Sequence, residues 1–151
     1  MSLSAIVDDL ALHSVVVGGV APTVYYKGTL PASASTAQTP CRLVFTADPN
    51  GKGSTGEFVA VGTMTSALFT LSDLMLWRPV AQGIGRANVD EYFIQYVDNY
   101  QAMLRTWRDA GQSAAVLNGW TATPGVFEYP EGSGMEWWGV LFVLTITEYN
   151  G

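Results

Sequence analysis

Trp137-Trp138-Gly139-Val140-Leu141-Phe142-Val143-Leu144-Thr145-Ile146-Thr147, close to the C-terminus, carries no charge and no proline. β-Branched and aromatic residues of this kind suit a pleated surface. Side chains alternate across a strand, so Trp137, Leu141 and Val143 line one face and Trp138, Val140, Phe142, Leu144 and Ile146 the other. Both faces are apolar. Such a strand must be covered on both sides, by a helix layer and by a second covering such as another subunit.

Working back from that strand, Asn88-Val89-Asp90-Glu91 has the form of a capping box. Behind it Phe93, Val97, Tyr100, Leu104 and Trp107 recur at helical spacing. A long helix is predicted over about 88–110, closed by Gly111, with Arg105 and Arg108 in the last turn where the helix dipole favours cations. Leu3, Ile6, Val7, Leu10 and Ala11 mark a short helix over about 3–13, with Ser2 or Ser4 as its cap. Strands are predicted at 23–26, 41–47, 66–78 and 126–129, with a hairpin arm at 58–61. A strand fragment and tight turn fall at 15–20, around Gly18-Gly19. The alternation in 66–78 slips near Ser72–Asp73, which predicts a bulge there. Residues 27–40 read as an extended loop without a core of its own, and 48–57 as a flexible, hairpin-like excursion. The expected fold is α+β: one domain with a largely antiparallel β-sheet and one long and one short helix packed on one face.

At 151 residues the chain is long enough to bury a sizeable core. Charged residues make up 13% of it, about half the usual share. Five Trp, seven Tyr and six Phe accompany that shortage. Few charges with many aromatics characterise a well-filled core or an interface. The net charge is −6. The cations Lys27, Arg42, Lys52, Arg78, Arg86, Arg105 and Arg108 are scattered and form no basic stripe, which argues against a reader of nucleic acid. Cys41 is the single cysteine, so an intrachain disulfide and a cysteine-based metal cluster are excluded. The first residues lack the basic start of a signal peptide, and no apolar run reaches the roughly 20 residues that span a bilayer. A soluble protein made in a reducing cytoplasm is expected.

Chemistry-bearing motifs are scarce. His13, the only histidine, falls at the end of the first helix, away from any nucleophile and acid. Cys41 shares a strand face with Leu43 and Phe45 and reads as a small buried hydrophobe. Asp8-Asp9 and Asp90-Glu91 offer too few oxygen ligands for a hard cation. Asn50-Gly51-Lys52-Gly53-Ser54-Thr55-Gly56 lacks phosphate-loop spacing, and Gly83-Ile84-Gly85 lacks the third glycine of a dinucleotide site. Trp137 and Trp138 face opposite sides, so with Trp120 they build no sugar platform. No cofactor, metal or catalytic activity is expected.

The order of segments resembles the tail terminator proteins of long-tailed bacteriophages. The likeness runs over most of the chain. It rests on the N-terminal helix at Ser4–Leu12, the strand Pro40-Cys41-Arg42-Leu43-Val44-Phe45, and the strand Leu68–Trp77 with Arg78-Pro79 after it. The helix Val89–Trp107 and the closing Trp138–Tyr149 strand complete it. The loops at 27–40 and 48–57 depart from it. The resemblance implies a structural virion protein: a homo-oligomer, usually a hexameric ring, that caps the tail tube. Its partners would be the major tail tube protein and the head–tail connector or stopper, with genomic DNA as passing cargo only. It implies assembly in the host cytoplasm and residence in the tail or neck. Asp48, Asn50, Lys52, Thr55, Glu57, Trp77, Arg78 and Arg86 are the expected subunit or tube contacts. A head–tail connector, neck or tail-completion protein is the alternative. A small-molecule-binding α+β domain or enzyme is the second, and it meets the objection that too few ionisable residues fall at core positions.

Overall fold

A computed structural model describes residues 3–35, 38–46, 56–61, 64–109 and 115–150. Helix α1 (Leu3–Leu12) leads to β1 (Thr23–Tyr26), β2 (Cys41–Thr46), β3 (Gly56–Val61) and β4 (Met64–Pro79). Helix α2 (Arg86–Asp109), β5 (Ala115–Glu128) and β6 (Glu136–Asn150) follow. The sheet order is β1-β2-β4-β6-β5, with β3 also on β4. Only β1 and β2 pair in parallel; the other ladders are antiparallel. This is the expected α+β architecture.

The 137–147 stretch lies inside β6, between β4 and β5. Its even face is covered from Val140 to Ile146, and Trp138 is partly buried. Val140, Phe142, Leu144 and Ile146 are buried with Ile6, Val7 and Leu10 of α1 and with Val89, Phe93, Tyr96, Tyr100 and Trp107 of α2. The ring of Tyr100 stacks on Phe142 at a centroid distance of 3.7 Å. Trp107 donates its indole N–H to Asp9, and Asn99 reaches the Val16 carbonyl at 3.0 Å, so α2 is tied to α1 and to the segment after it.

The odd face is buried around Trp137 and again at Thr147, and is partly open between them. At the Trp137 end, Trp137, Cys41, Leu43, Leu74 and Leu76 are buried under Ala34 and Tyr129. Residues 27–35 thus do belong to a core, contrary to the coreless loop expected. They begin with a 3₁₀ turn at Lys27–Thr29, and the Tyr129 hydroxyl anchors them by donating to the Pro31 carbonyl. Leu141 and Val143, further along β6, remain partly exposed. Truncating Leu141 to Ala should therefore cost about 1–2 kcal/mol in the single chain, below the about 2–5 kcal/mol of full burial. Urea unfolding measures it; a loss above 3 kcal/mol would mean this stretch is covered too.

Several boundaries move. β4 keeps its register on β6 through Ser72 and Asp73, and the irregularity lies between Leu76 and Arg78, at Trp77. The break in alternation at Asp73 is a buried carboxylate, not a bulge. α2 begins at Arg86, so Asn88 and Glu91 sit inside it and form no capping box; likewise Ser4 lies within α1 and does not cap it. β5 begins eleven residues before the predicted 126, as its bounds Ala115–Glu128 show. Asn118, Gly119, Pro124 and Gly125 hide it in the sequence. An edge strand tolerates them, because its outer side has no ladder to lose.

β2 and β3 lie end to end along the same side of β4. Thr46 pairs with Leu71 and Gly56 with Phe69. The chain departs from β4 after Thr46 and rejoins it two positions along, where β3 and β4 form the expected hairpin.

Candidate functional site

The chain has two distinctive surfaces or sites: a charged cluster in its interior and an open half of its sheet. The cluster begins with Arg42, which faces the helices from β2, and Asp73, which faces them from β4; both are fully buried. Nη2 of Arg42 meets Oδ2 of Asp73 at 2.5 Å, and its Nε donates to both carboxylate oxygens at 3.2 and 3.3 Å. Nη1 donates to the His13 carbonyl at 2.5 Å. The Tyr100 hydroxyl donates to Asp73 at 2.7 Å, and the guanidinium carbon lies 5.7 Å from the Tyr100 ring centroid. Burial disfavours the charge on Arg42, but the adjacent carboxylate outweighs it and holds the guanidinium above its ordinary pKa. Burial, reinforced by the Asp73 charge, pushes Tyr96 and Tyr100 upward.

The cluster puts one buried ion pair in a core where few ionisable residues were expected. Its geometry binds four segments: the turn after α1, β2, β4 and α2. Being closed to solvent, it admits no substrate. Its geometry supports a structural role; each charge sits at a core phase of its strand, and their pairing follows only from the adjacency of β2 and β4.

Cys41 is buried on the opposite face, and burial pushes its thiol up to about 11 despite a backbone hydrogen bond that lowers it. A buried small hydrophobe fits this position. The unfolded thiol ionises near 9.0, so the contribution of the neutral thiol is complete below that pH and declines as pH rises towards 11. At pH 8 a thiol reagent should label Cys41 no faster than the chain unfolds. Rapid stoichiometric labelling of the folded protein would refute that burial.

The open half of the second face carries Phe45, Leu141 and Val143, partly exposed, beside Thr121 and Thr123, which are exposed. The pairing of Thr121 with Val143 and of Thr123 with Leu141 makes these neighbours across the β5–β6 ladder. The result is a broad, uncharged strip.

Two clefts flank the helix layer. One of about 280 Å³ lies between α1 and β2, lined by Leu3, Val7, Lys27, Leu30 and Val44. The other, about 240 Å³, lies between α2 and β5, lined by Gln101, Leu104, Arg105, Leu117, Asn118 and Trp120. A third, about 300 Å³, lies between the Gly18-Gly19 turn and α2, lined by Glu91, Tyr92 and Gln95, and of the three only this one reaches the roughly 300 Å³ at which small-molecule sites begin. Lys27 at the first is already engaged by Asp8 at 2.7 Å and Ser4 at 2.7 Å. No group of three or more potential metal ligands occurs among the described residues, and no helix there is long and apolar enough to cross a membrane.

Of the expected contact residues, Asp48, Asn50, Lys52 and Thr55 lie outside the described residues. Glu57 lies in β3, opposite Leu68, and so belongs to the hairpin. Trp77 is a core residue packed on Tyr92 at 4.7 Å, not a surface contact; the irregularity in β4 turns it under α2. Arg78 is partly exposed, lies over the Trp77 ring at 5.2 Å and donates to its carbonyl. Arg86 is exposed and pairs with Asp90 at 3.3 Å. Of these residues, Trp77 and Arg78 are adjacent in β4, and Arg86 opens α2. The open face and the free edge of β5 were not singled out from sequence, because β5 itself was largely missed. Comparison of the chain with models of known protein families gives no match, and comparison with curated proteins gives none.

Proposed function

We propose that this chain is a structural subunit of a bacteriophage virion: a tail terminator that forms a ring, caps the tail tube and offers a docking surface to the head connector. The observation that carries the reading is the half-covered sheet, with Phe45, Leu141 and Val143 partly exposed beside Thr121 and Thr123 on a strip without charge. Apolar surface of this kind gains stability when another copy or the tube protein covers it. A ring requires a heterologous contact repeated by rotation, and a face distinct from the helix layer supplies one. The net charge of −6 suits a wall past which genomic DNA slides without sticking. A connector or neck ring shares this logic and differs in its partner. In this reading the protein assembles in the bacterial cytoplasm and resides at the head–tail junction.

Light scattering over a range of concentrations, with electron microscopy of the product, tests the proposal. A closed ring of 16.2 kDa subunits, seated on the end of tubes formed by the tube protein, is the expected result. A single copy at every concentration, indifferent to the tube, would overturn it. Removing residues 49–54 should leave the monomer's melting temperature within a few degrees of the parent, since the flanking strands hold their places on β4 independently. Loss of the folded monomer would contradict this.

A further inference from the structure

Among the described residues the sheet ends in β5 on one side and, on the other, in β1 outside β2 and in β3 beside β4; the ladders between them fix the polarity of these strands. β1, β2 and β6 run one way; β4 and β5 run the other. β5 bears no charged side chain before Glu128, and β1 (Thr-Val-Tyr-Tyr) bears none. A long edge without charged gatekeepers is a template for another strand. We propose that successive copies join edge to edge, β1 of one copy pairing with the first half of β5 of the next, so that the sheet continues around the ring.

This inference rests on the ring reading and deepens it by naming the interface. Three features support a second copy as the occupant. First, rotation about a ring axis brings one edge to the opposite edge of the neighbour, and here that juxtaposes antiparallel strands, the more stable pairing. Second, Pro124 offers no N–H to a ladder, which limits the partner to the part of β5 before it; the four residues of β1 fit that length. Third, the charges match. Both helices pack on one face of the sheet, so the neighbour's α1 arrives beside the outer flank of α2. Exposed Arg105 lines the cleft there with Leu117 and Asn118, near the start of β5. The only charged residues of α1 are Asp8 and Asp9, and Asp8, about half exposed, pairs with Lys27, which directly follows β1. Antiparallel pairing sets the end of β1 against the start of β5, and so brings Asp8 of one copy, with its partner Lys27, towards Arg105 of the next, so that the carboxylate lies between the two cations.

Cross-linking tests the joint. Thr23→Cys and Thr121→Cys place thiols on exposed positions of the two edges, while native Cys41 stays buried. With a short bis-maleimide, a mixture of the two single variants should give a covalent dimer that neither gives alone, and the double variant should give a ladder ending at the ring. Arg105→Glu, folded as judged by circular dichroism, should raise the concentration needed for assembly about tenfold. Self-cross-linking of Thr121→Cys alone would show two-fold β5–β5 pairing and overturn the proposal. Rings that form normally, yet give no cross-link in the mixture, would overturn this interface and leave the ring reading standing. Absence of assembly under all conditions would overturn both.

Discussion

Asp73→Ala should lower the stability of the folded chain by about 3–5 kcal/mol, the usual cost of stripping one partner from a buried ion pair. The substitution leaves the Arg42 guanidinium charged and fully enclosed, with the His13 carbonyl and the Tyr100 ring but no anion beside it, and it orphans the Tyr100 hydroxyl. Against a total stability of about 5–15 kcal/mol, that loss is a large fraction. In urea the midpoint should fall by roughly 2 M. The double variant Arg42→Met/Asp73→Leu should recover most of the loss, because no charge then remains in the core. Recovery should be incomplete, since the Tyr100 hydroxyl still lacks its acceptor. A negligible effect of Asp73→Ala would mean that water reaches the cluster, and the closed geometry would be wrong.

Gly139→Ala is the second large effect. Gly139 sits in β6 between Leu76 of β4 and Gly125 of β5. A methyl carbon there would lie 2.2 Å from the backbone carbonyl oxygen of Met75, closer than any real contact, with the Phe127 ring on another side at 3.4 Å. The obstacle is backbone in the most extensively paired ladder, so the strain cannot be relieved by rotating a side chain. Overpacking of this sort costs typically about 1–3 kcal/mol, and the rigid setting puts Gly139→Ala at about 3 kcal/mol. Gly119→Ala is the control: its added methyl meets nothing within 4 Å. Equal losses in both variants would show that glycine matters here for reasons other than close approach.

Much of the fold was legible where the physical signal was local. The two-faced 137–147 segment, the stripe Phe93–Val97–Tyr100–Leu104–Trp107 and the apolar side of Cys41–Leu43–Phe45 each announced their element. Less legible was anything decided by a neighbour. β5 contains Asn118, Gly119, Pro124 and Gly125, which weaken a strand taken alone; its place at the edge, stitched to β6, makes them acceptable. Asp73 breaks the apolar alternation of its strand while Arg42 fits a regular alternation, and a charge shows its complement only when the strands carrying the two are adjacent. Ala34 gave no sign that it would lie under the second face, since its burial depends on a chain crossing rather than on its own character. The candidate surface suffered most. Most of the residues expected to make contacts are polar, whereas the open sheet face consists of ordinary strand residues left uncovered.

The collinearity of β2 and β3 has an engineering consequence. Their anchor points on β4, Leu71 and Phe69, are near neighbours, so whatever joins Thr46 to Gly56 is bounded by a nearly fixed doorway. Lengthening or exchanging the joining residues alters no strand register and adds only a slowly growing closure entropy. The doorway is therefore a natural graft point, at which foreign peptides can be displayed or specificity for an attachment partner exchanged without redesigning the scaffold.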